Sequence, residues 1–245
     1  MGRAHYPNLK VDGEPNVGMD DRTVAVTGGS RGIGEAVVRA LVADGAHVVT
    51  CGRDADALED LAESVDGEGR LTTQGADVRD EYDVERFVET AAREGGGIDG
   101  VVANAGVYHG DPGETDVTEE SYATFDDHLR TNARGVFATF REAVPHLTDD
   151  PRLLALSGRI AREPQAGFGS YAVSKATAEA VVRQFAADTG LPVAVVDPGT
   201  VATDLTGEKG MDPERAAPLV VWALDEADPE TLDGTVLDRR TMRQG

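Results

Sequence analysis

The stretch Tyr171-Ala-Val-Ser-Lys175 has the residue types and spacing for acid–base chemistry. A good helix-forming run follows it, and positions four apart share one helix face, so a phenol and an ammonium stand side by side. A free tyrosine has a pKa of ~10 and is a poor acid or base at neutral pH. A neighbouring cation favours the phenolate and lowers that value. The pair suits proton exchange with a carbonyl or an alcohol. Taken alone, the spacing also fits an exposed pair on a surface helix, so its weight depends on what lies upstream.

Upstream lies a candidate phosphate cradle. A short apolar strand over residues 23–27 runs into Gly28-Gly29-Ser30-Arg31-Gly32-Ile33-Gly34, and a helical pattern follows from Glu35. Glycines at 28, 32 and 34 let the backbone turn sharply and approach a ligand closely. The helix N-terminus offers free amides and partial positive charge to a pyrophosphate. The spacing is Gly-x-x-x-Gly-x-Gly rather than the commoner Gly-x-Gly-x-x-Gly. A second strand over 46–50 leads into Cys51-Gly52-Arg53-Asp54. An acid near that strand end would bind ribose hydroxyls and oppose a 2′-phosphate; none stands there, and Arg53 follows. Arg31 adds a second cation, and together they favour NADP(H) over NAD(H). The alternative is that Arg53 pairs at the surface with Asp54 or Asp56.

These residues need elements to hold them. The pattern predicts a helix over 55–64, a third strand over 70–78 ending in Asp77-Val78, and a helix over 81–93. A fourth strand over 98–103 ends in Asn104-Ala105-Gly106. After a polar loop, a helix-rich region over 118–147 contains Asn132, which marks a kink or a buried hydrogen bond. A fifth strand over 152–157, the Tyr/Lys helix, a sixth strand and turn over 191–199, a helix over 212–224 and an edge strand over 234–238 complete the chain. The alternation predicts a single α/β domain over 21–245: a Rossmann-type doubly wound parallel sheet of about seven strands with helices on both faces. Gly28, Arg53, Asp77 and Asn104 all fall at C-terminal strand ends, where ligands bind in such sheets. Residues 1–20 lack periodicity and are expected to form a mobile arm.

Composition narrows the partners. The 245 residues carry 45 Asp and Glu against 23 Lys and Arg, a formal charge of −22. That surface lacks the positive footprint nucleic acid requires. Self-repulsion at this charge calls for screening salt, as in proteins of salt-accumulating halophiles. No apolar run spans a bilayer and no signal-peptide core precedes the first strand, so a cytoplasmic, high-salt setting is expected. The one cysteine, Cys51, allows no internal disulfide and reads as an inert, half-buried thiol. The five histidines show no metal-ligand spacing, and His109 is expected to be solvent-exposed.

With these residues in place, the chain resembles the short-chain dehydrogenase/reductase family over about residues 21–240. The resemblance rests on the glycine turn, Asp77-Val78, Asn104-Ala105-Gly106, Asn132, Tyr171-x-x-x-Lys175 and Pro198-Gly199-Thr-Val201-Ala-Thr203. It implies that the glycine turn binds pyrophosphate, that Asp77 contacts adenine, and that Pro198, Gly199, Val201 and Thr203 lie by the nicotinamide. It also implies a catalytic tetrad of Asn132, a serine, Tyr171 and Lys175. In the family that serine usually stands thirteen positions before the tyrosine, where this chain has Gly158. One extra loop residue brings Ser157 into place; the competing reading is that the serine is lost. Segment 204–211 is shorter than the substrate-covering insertion of many members, which implies an open pocket, and the ending over 233–240, with Asp238-Arg239-Arg240, resembles carbonyl-reductase-like members. The implied reaction is hydride transfer between NADP(H) and a small carbonyl or alcohol. In it Lys175 lowers the tyrosine pKa and Asn132 supports a water relay. A homodimer or homotetramer is implied as well. An NADP(H)-binding regulator or scaffold with little turnover is the alternative on the same fold.

Overall fold

A computed structural model of the chain describes residues 18–244. The arm expected over 1–20 therefore lies, up to residue 17, outside the described residues. The strands are β1 (Thr23–Thr27), β2 (His47–Gly52), β3 (Arg70–Gly75), β4 (Ile98–Ala103), β5 (Leu147–Leu156), β6 (Val193–Asp197) and β7 (Asp233–Asp238). They form one parallel sheet in the order β3-β2-β1-β4-β5-β6-β7. The chain winds outward from β1 to β3, then returns to place β4 on the other side of β1. That reversal opens a crevice at the C-terminal strand ends.

Both faces of the sheet are covered, which is why the central strands are almost continuously apolar. Every residue of β1 and of β6 is buried. On one face lie α1 (Gly32–Ala43), α2 (Ala55–Ser64) and α7 (Ala217–Asp225); on the other lie α3 (Glu81–Gly95), α5 (Gly135–Ala143) and α6 (Gly169–Thr189). The period-two alternation of a strand divides its side chains between the two layers. Val24, Val26 and Val48 pack with Leu41 of α1, whereas Ala25 and Val49 pack with Phe87 of α3 and Phe140 of α5.

Several boundaries differ from the sequence pattern; β3, for one, ends at Gly75, leaving Asp77 and Val78 on the loop that follows. The helical region expected over 118–147 breaks into α4 (Tyr122–His128), a π-turn (Leu129–Arg134) holding Asn132, and α5. β5 begins at Leu147 rather than 152, because an irregularity between Ile98 and Gly100 of β4 lets pairing resume past exposed Asp149 and Asp150. The helix expected over 212–224 starts as a 3₁₀ turn (Pro213–Arg215) before α7. A short last helix, α8 (Arg239–Met242), is capped by Asp238, whose carboxylate accepts from the amides of Arg240 and Thr241. Cys51 is fully rather than half buried, and burial pushes its thiol up to about 12.

Candidate active site

The crevice is a cleft of about 1520 Å³ running over the ends of the strands. Its phosphate end is the turn between β1 and α1. The amides of Gly28 and Gly29 both donate to the Cys51 carbonyl, folding the turn onto β2. Gly28 has φ +70, and a Cβ there would meet Ala105 Cα at 2.8 Å. A Cβ on Gly34 would lie 2.1 Å from the Gly28 oxygen. The backbone is therefore as close to its neighbours as glycine permits. Asp54 and Asp80 cap α2 and α3 with their side chains, whereas α1 has no side-chain cap. Its first amides face the cleft beside Ser30, Gly32 and Ile33, a ready anion site. These features fit a dinucleotide pyrophosphate.

Asn104 serves this turn rather than lining the cleft with a free side chain. Its Nδ2 donates to the carbonyls of Thr27 at 3.0 Å and Gly28 at 2.9 Å, while Thr27 Oγ1 accepts from the amides of Asn104 and Ala105. Arg31 pairs with Asp204 at 3.1 Å, with both side chains largely exposed. Arg53 lines the cleft and makes no ion pair among the described residues; Asp54 is engaged in capping α2. Asp77 also lines the cleft beside Val78. Burial opposes ionisation of its carboxyl, but hydrogen bonds from Arg79 hold it below the usual carboxylate range.

The other end of the cleft gathers Ser157, Tyr171 and Lys175 on its wall, beside Gly106, with Pro198, Gly199, Val201 and Thr203 along the rim. The Tyr171 ring packs 4.6 Å from that of Tyr108. Burial, with a smaller contribution from Tyr108, raises the Tyr171 phenol to about 12. The expected lowering by Lys175 is absent from this geometry. The Lys175 ammonium donates to the Leu156 carbonyl at 3.0 Å, and burial lowers it to about 8, partly offset by Glu179. Asn132 does not line the cleft. Its Oδ1 accepts from the Val107 amide at 2.8 Å, and its Nδ2 donates to the Val107 carbonyl and to Ser174 Oγ, both at 2.9 Å. It ties the loop after β4 to α6, three residues from Tyr171. The π-turn that holds it also places Thr131 on the cleft, with a buried hydroxyl that has no partner.

Ser157 reaches the wall, but its hydroxyl donates to Glu179 Oε1 at 2.8 Å. Glu179 is 1% exposed on α6 and also pairs with Arg162 and Arg183. Arg162 bridges onward to Asp197, whose Oδ1 accepts from the Gly199 amide. One buried network thus joins the serine, the loop after it and the Pro198–Gly199 turn.

A second network lies behind Tyr171. His128 is fully buried, and its ring meets that of Tyr171 edge-on at 6.1 Å. The His109 amide donates to His128 Nε2 at 2.9 Å, so the proton sits on Nδ1 and is donated to Ser170 Oγ, which donates to Glu120. Burial, then the charge of His109, lowers the His128 pKa, consistent with a neutral ring. The His109 ring is half exposed and held by Asp127 at 2.7 Å. Sequence spacing gave no signal for Glu120, His128, Arg162 or Glu179, whose partners lie on other elements.

Known proteins resemble this chain in sequence and fold. A family model described as short chain dehydrogenase matches residues 22–214. The 3beta-hydroxysteroid dehydrogenase 1 of Eggerthella lenta is 32% identical over 204 residues, covering 80% of this chain and 77% of that protein. The glycine betaine reductase of Emericella nidulans is 31% identical over 92% of this chain, which spans only 19% of that much longer protein. A short chain dehydrogenase from Burkholderia cenocepacia, solved in complex with NADP, superposes with a TM-score of 0.80 at 27% identity, covering 90% of this chain and 96% of that one. An alcohol dehydrogenase from Thermococcus sibiricus, complexed with 5-hydroxy-NADP, gives 0.78 at 27% identity over 89% of this chain and 94% of that one.

Proposed function

We propose that this chain, which belongs to the short-chain dehydrogenase family, is an NADP(H)-dependent oxidoreductase of carbonyl-reductase type acting on a small carbonyl or alcohol. The observation that carries this reading is the single cleft in which an uncapped helix N-terminus and glycine turn face, at the other end, a half-buried Tyr171 set one helical turn from Lys175. The preference for NADP(H) is supported by Arg53, which makes no ion pair among the described residues of a chain of charge −22, and by the NADP-type ligands of the two structural relatives. Arg31 would join it by exchanging Asp204 for the 2′-phosphate.

Bound in the cleft, the nicotinamide supplies or accepts a hydride at the carbonyl carbon. The α1 amides would hold the pyrophosphate, and Asp77 and Val78 would flank the adenine. Tyr171, with a phenol near 12 in the free cleft, keeps its proton at neutral pH and can deliver it from Oη to the carbonyl oxygen. Lys175, protonated below about 8, would turn from the Leu156 carbonyl toward the nicotinamide ribose and the phenol, restoring the lowering that the free site lacks. Asn132 would keep Val107 and α6 in register beside that lysine and support a water relay to it. Ser157 would donate to the carbonyl oxygen only after releasing Glu179. Exposed Phe137 on α5 and Val173 on α6 support a homodimer or homotetramer through these helices. Among the described residues no helix is long and apolar enough to cross a membrane. We place the protein in a salt-rich cytosol on the strength of its charge.

The test is titration with NADPH and NADH in molar KCl, followed by a carbonyl panel with wild type and Tyr171→Phe. NADPH should bind much more tightly than NADH, and the variant should bind NADPH but lose at least ~10²-fold in turnover. Near-normal turnover would remove Tyr171 from the acid role. NADPH binding without turnover of any carbonyl or alcohol would favour the regulator reading.

A further inference from the structure

Arg239 is the cation that the proposed cofactor contacts leave unused. It lines the cleft half-buried at the start of α8, and it makes no ion pair among the described residues. Its Nη1 lies 3.4 Å from Met211 Sδ, and its Nη2 donates to the Arg215 carbonyl at 3.4 Å. A guanidinium carries five donors and is costly to bury unpaired. This chain has 45 carboxylates to offer it, yet the donors are left with a thioether and one carbonyl. Asp238, beside it, has turned its carboxylate to the α8 amides instead. Lys209 and Arg240 also line the cleft and make no ion pair among the described residues.

The sheet locates this cation at the reacting end. Asp238 of β7 pairs in register with Asp197 of β6, so residue 239 stands level with Pro198. Met211 reaches toward the same turn, since a Cβ on Gly199 would lie 3.8 Å from Met211 Cε. Strands stand about 4.8 Å apart, so β7 is about 19 Å across the sheet from β1 and about 24 Å from β2. A 2′-phosphate at Arg53 is thus out of Arg239's reach, and the pyrophosphate position is already served by the uncapped α1 amides.

We propose that Arg239 binds a carboxylate of the substrate, making the substrate an oxo acid or hydroxy acid rather than a neutral carbonyl compound. This rests on the oxidoreductase reading of the same cleft. A single planar guanidinium fork matches a single carboxylate, and Lys209 and Arg240 add attraction at the mouth.

The test uses the full chain loaded with NADP⁺ or NADPH at one fixed salt concentration. The probes are the three carboxybenzaldehyde isomers, which place the carboxylate at different spans from the carbonyl, and their methyl esters. Calorimetry with NADP⁺ reads binding, and NADPH consumption reads turnover. At least one acid should bind ~10-fold or more tightly than its ester. Arg239→Ala should erase that margin with ester binding unchanged, and Arg239→Lys should keep part of it. General damage to the rim would weaken acid and ester alike, so the ester is an internal control. No acid preference, or one that survives Arg239→Ala, overturns the proposal. Equal reduction of acids and esters overturns it while the oxidoreductase reading stands. An Arg239-dependent acid preference without reduction of any probe supports the anion site and counts against hydride transfer.

Discussion

Ser157→Ala should cost this enzyme less than removal of a carbonyl-polarising donor ordinarily does. A freely aimed donor to a developing oxyanion is worth about 10²–10³ in rate, or ~2.7–4 kcal/mol. Here the only proton of the Ser157 hydroxyl is given to Glu179 Oε1 at 2.8 Å. Glu179 is 1% exposed and held by two guanidinium groups, so it acts as a charged acceptor. A hydrogen bond to such a group is worth ~1.5–3 kcal/mol and must be released before the serine can serve a substrate. The difference leaves a net gain of about 0–2.5 kcal/mol, so kcat/KM should fall by anything from nothing to roughly 70-fold. Steady-state NADPH consumption with one reducible aldehyde reads this directly. Glu179→Gln supplies the second arm. A neutral amide oxygen holds the hydroxyl more weakly, by ~1 kcal/mol, so Ser157→Ala made in that background should cost several-fold more than in wild type. Thermal melts of all four proteins check that the loss of a charge beside Arg162 and Arg183 has not unfolded the site. A loss above 10³-fold for Ser157→Ala alone, or no coupling in the cycle, would refute the idea that Glu179 restrains the serine.

Four further outcomes are expected. Gly34→Ala puts a Cβ 2.1 Å from the Gly28 carbonyl and 2.4 Å from Asn104 Nδ2, and should cost ~3 kcal/mol or more with loss of NADPH binding. Gly158→Ala, where nothing lies within 4 Å, should stay within ~0.5 kcal/mol; both are read by denaturant midpoints. Lys175 falls from 10.5 to about 8 on folding, so between those values the unfolded chain holds a proton that the folded chain has lost. Stability of the cofactor-free protein should therefore rise from about pH 8 to 10.5, recovering ~3 kcal/mol that is forfeited at lower pH, and Lys175→Met should remove that part of the slope. With a charge of −22, the melting temperature should climb between low and molar KCl by ~2–4 °C for each kcal/mol of repulsion relieved; an unchanged value would remove the salt requirement.

The sheet was legible because its information is local. Runs such as Thr23–Thr27 and Val193–Asp197 are apolar at their centres and buried throughout, which is what strands covered on both faces require, and helical patterns separate them. Asn132 was legible as an oddity, a poor helix former inside a helical stretch, and it sits in a π-turn with its amide bonded to Val107 and Ser174. What the pattern could not place was where that helical region breaks. The π-turn adds a residue per turn to satisfy contacts with α6, and those contacts are tertiary.

The networks behind the site were hidden for a related reason. Sequence spacing reports on neighbours within one element, whereas Ser157 meets Glu179 across 22 residues and Asn132 meets Ser174 across 42. Read along α6, Glu179 is one more acid in a chain of 45, one helical turn past Lys175, and nothing in the spacing names its partner. Folding buries it against Arg162 and gives it the proton of Ser157, the serine that one extra loop residue would bring into the family's place. A motif therefore fixes which atoms arrive at the cleft, while the groups behind it fix where their protons point. In this chain Tyr171 arrives with its proton available and Ser157 with its proton committed. On the proposed mechanism the first donation to substrate would then come from the phenol, with the serine following only if the oxyanion outcompetes a buried carboxylate.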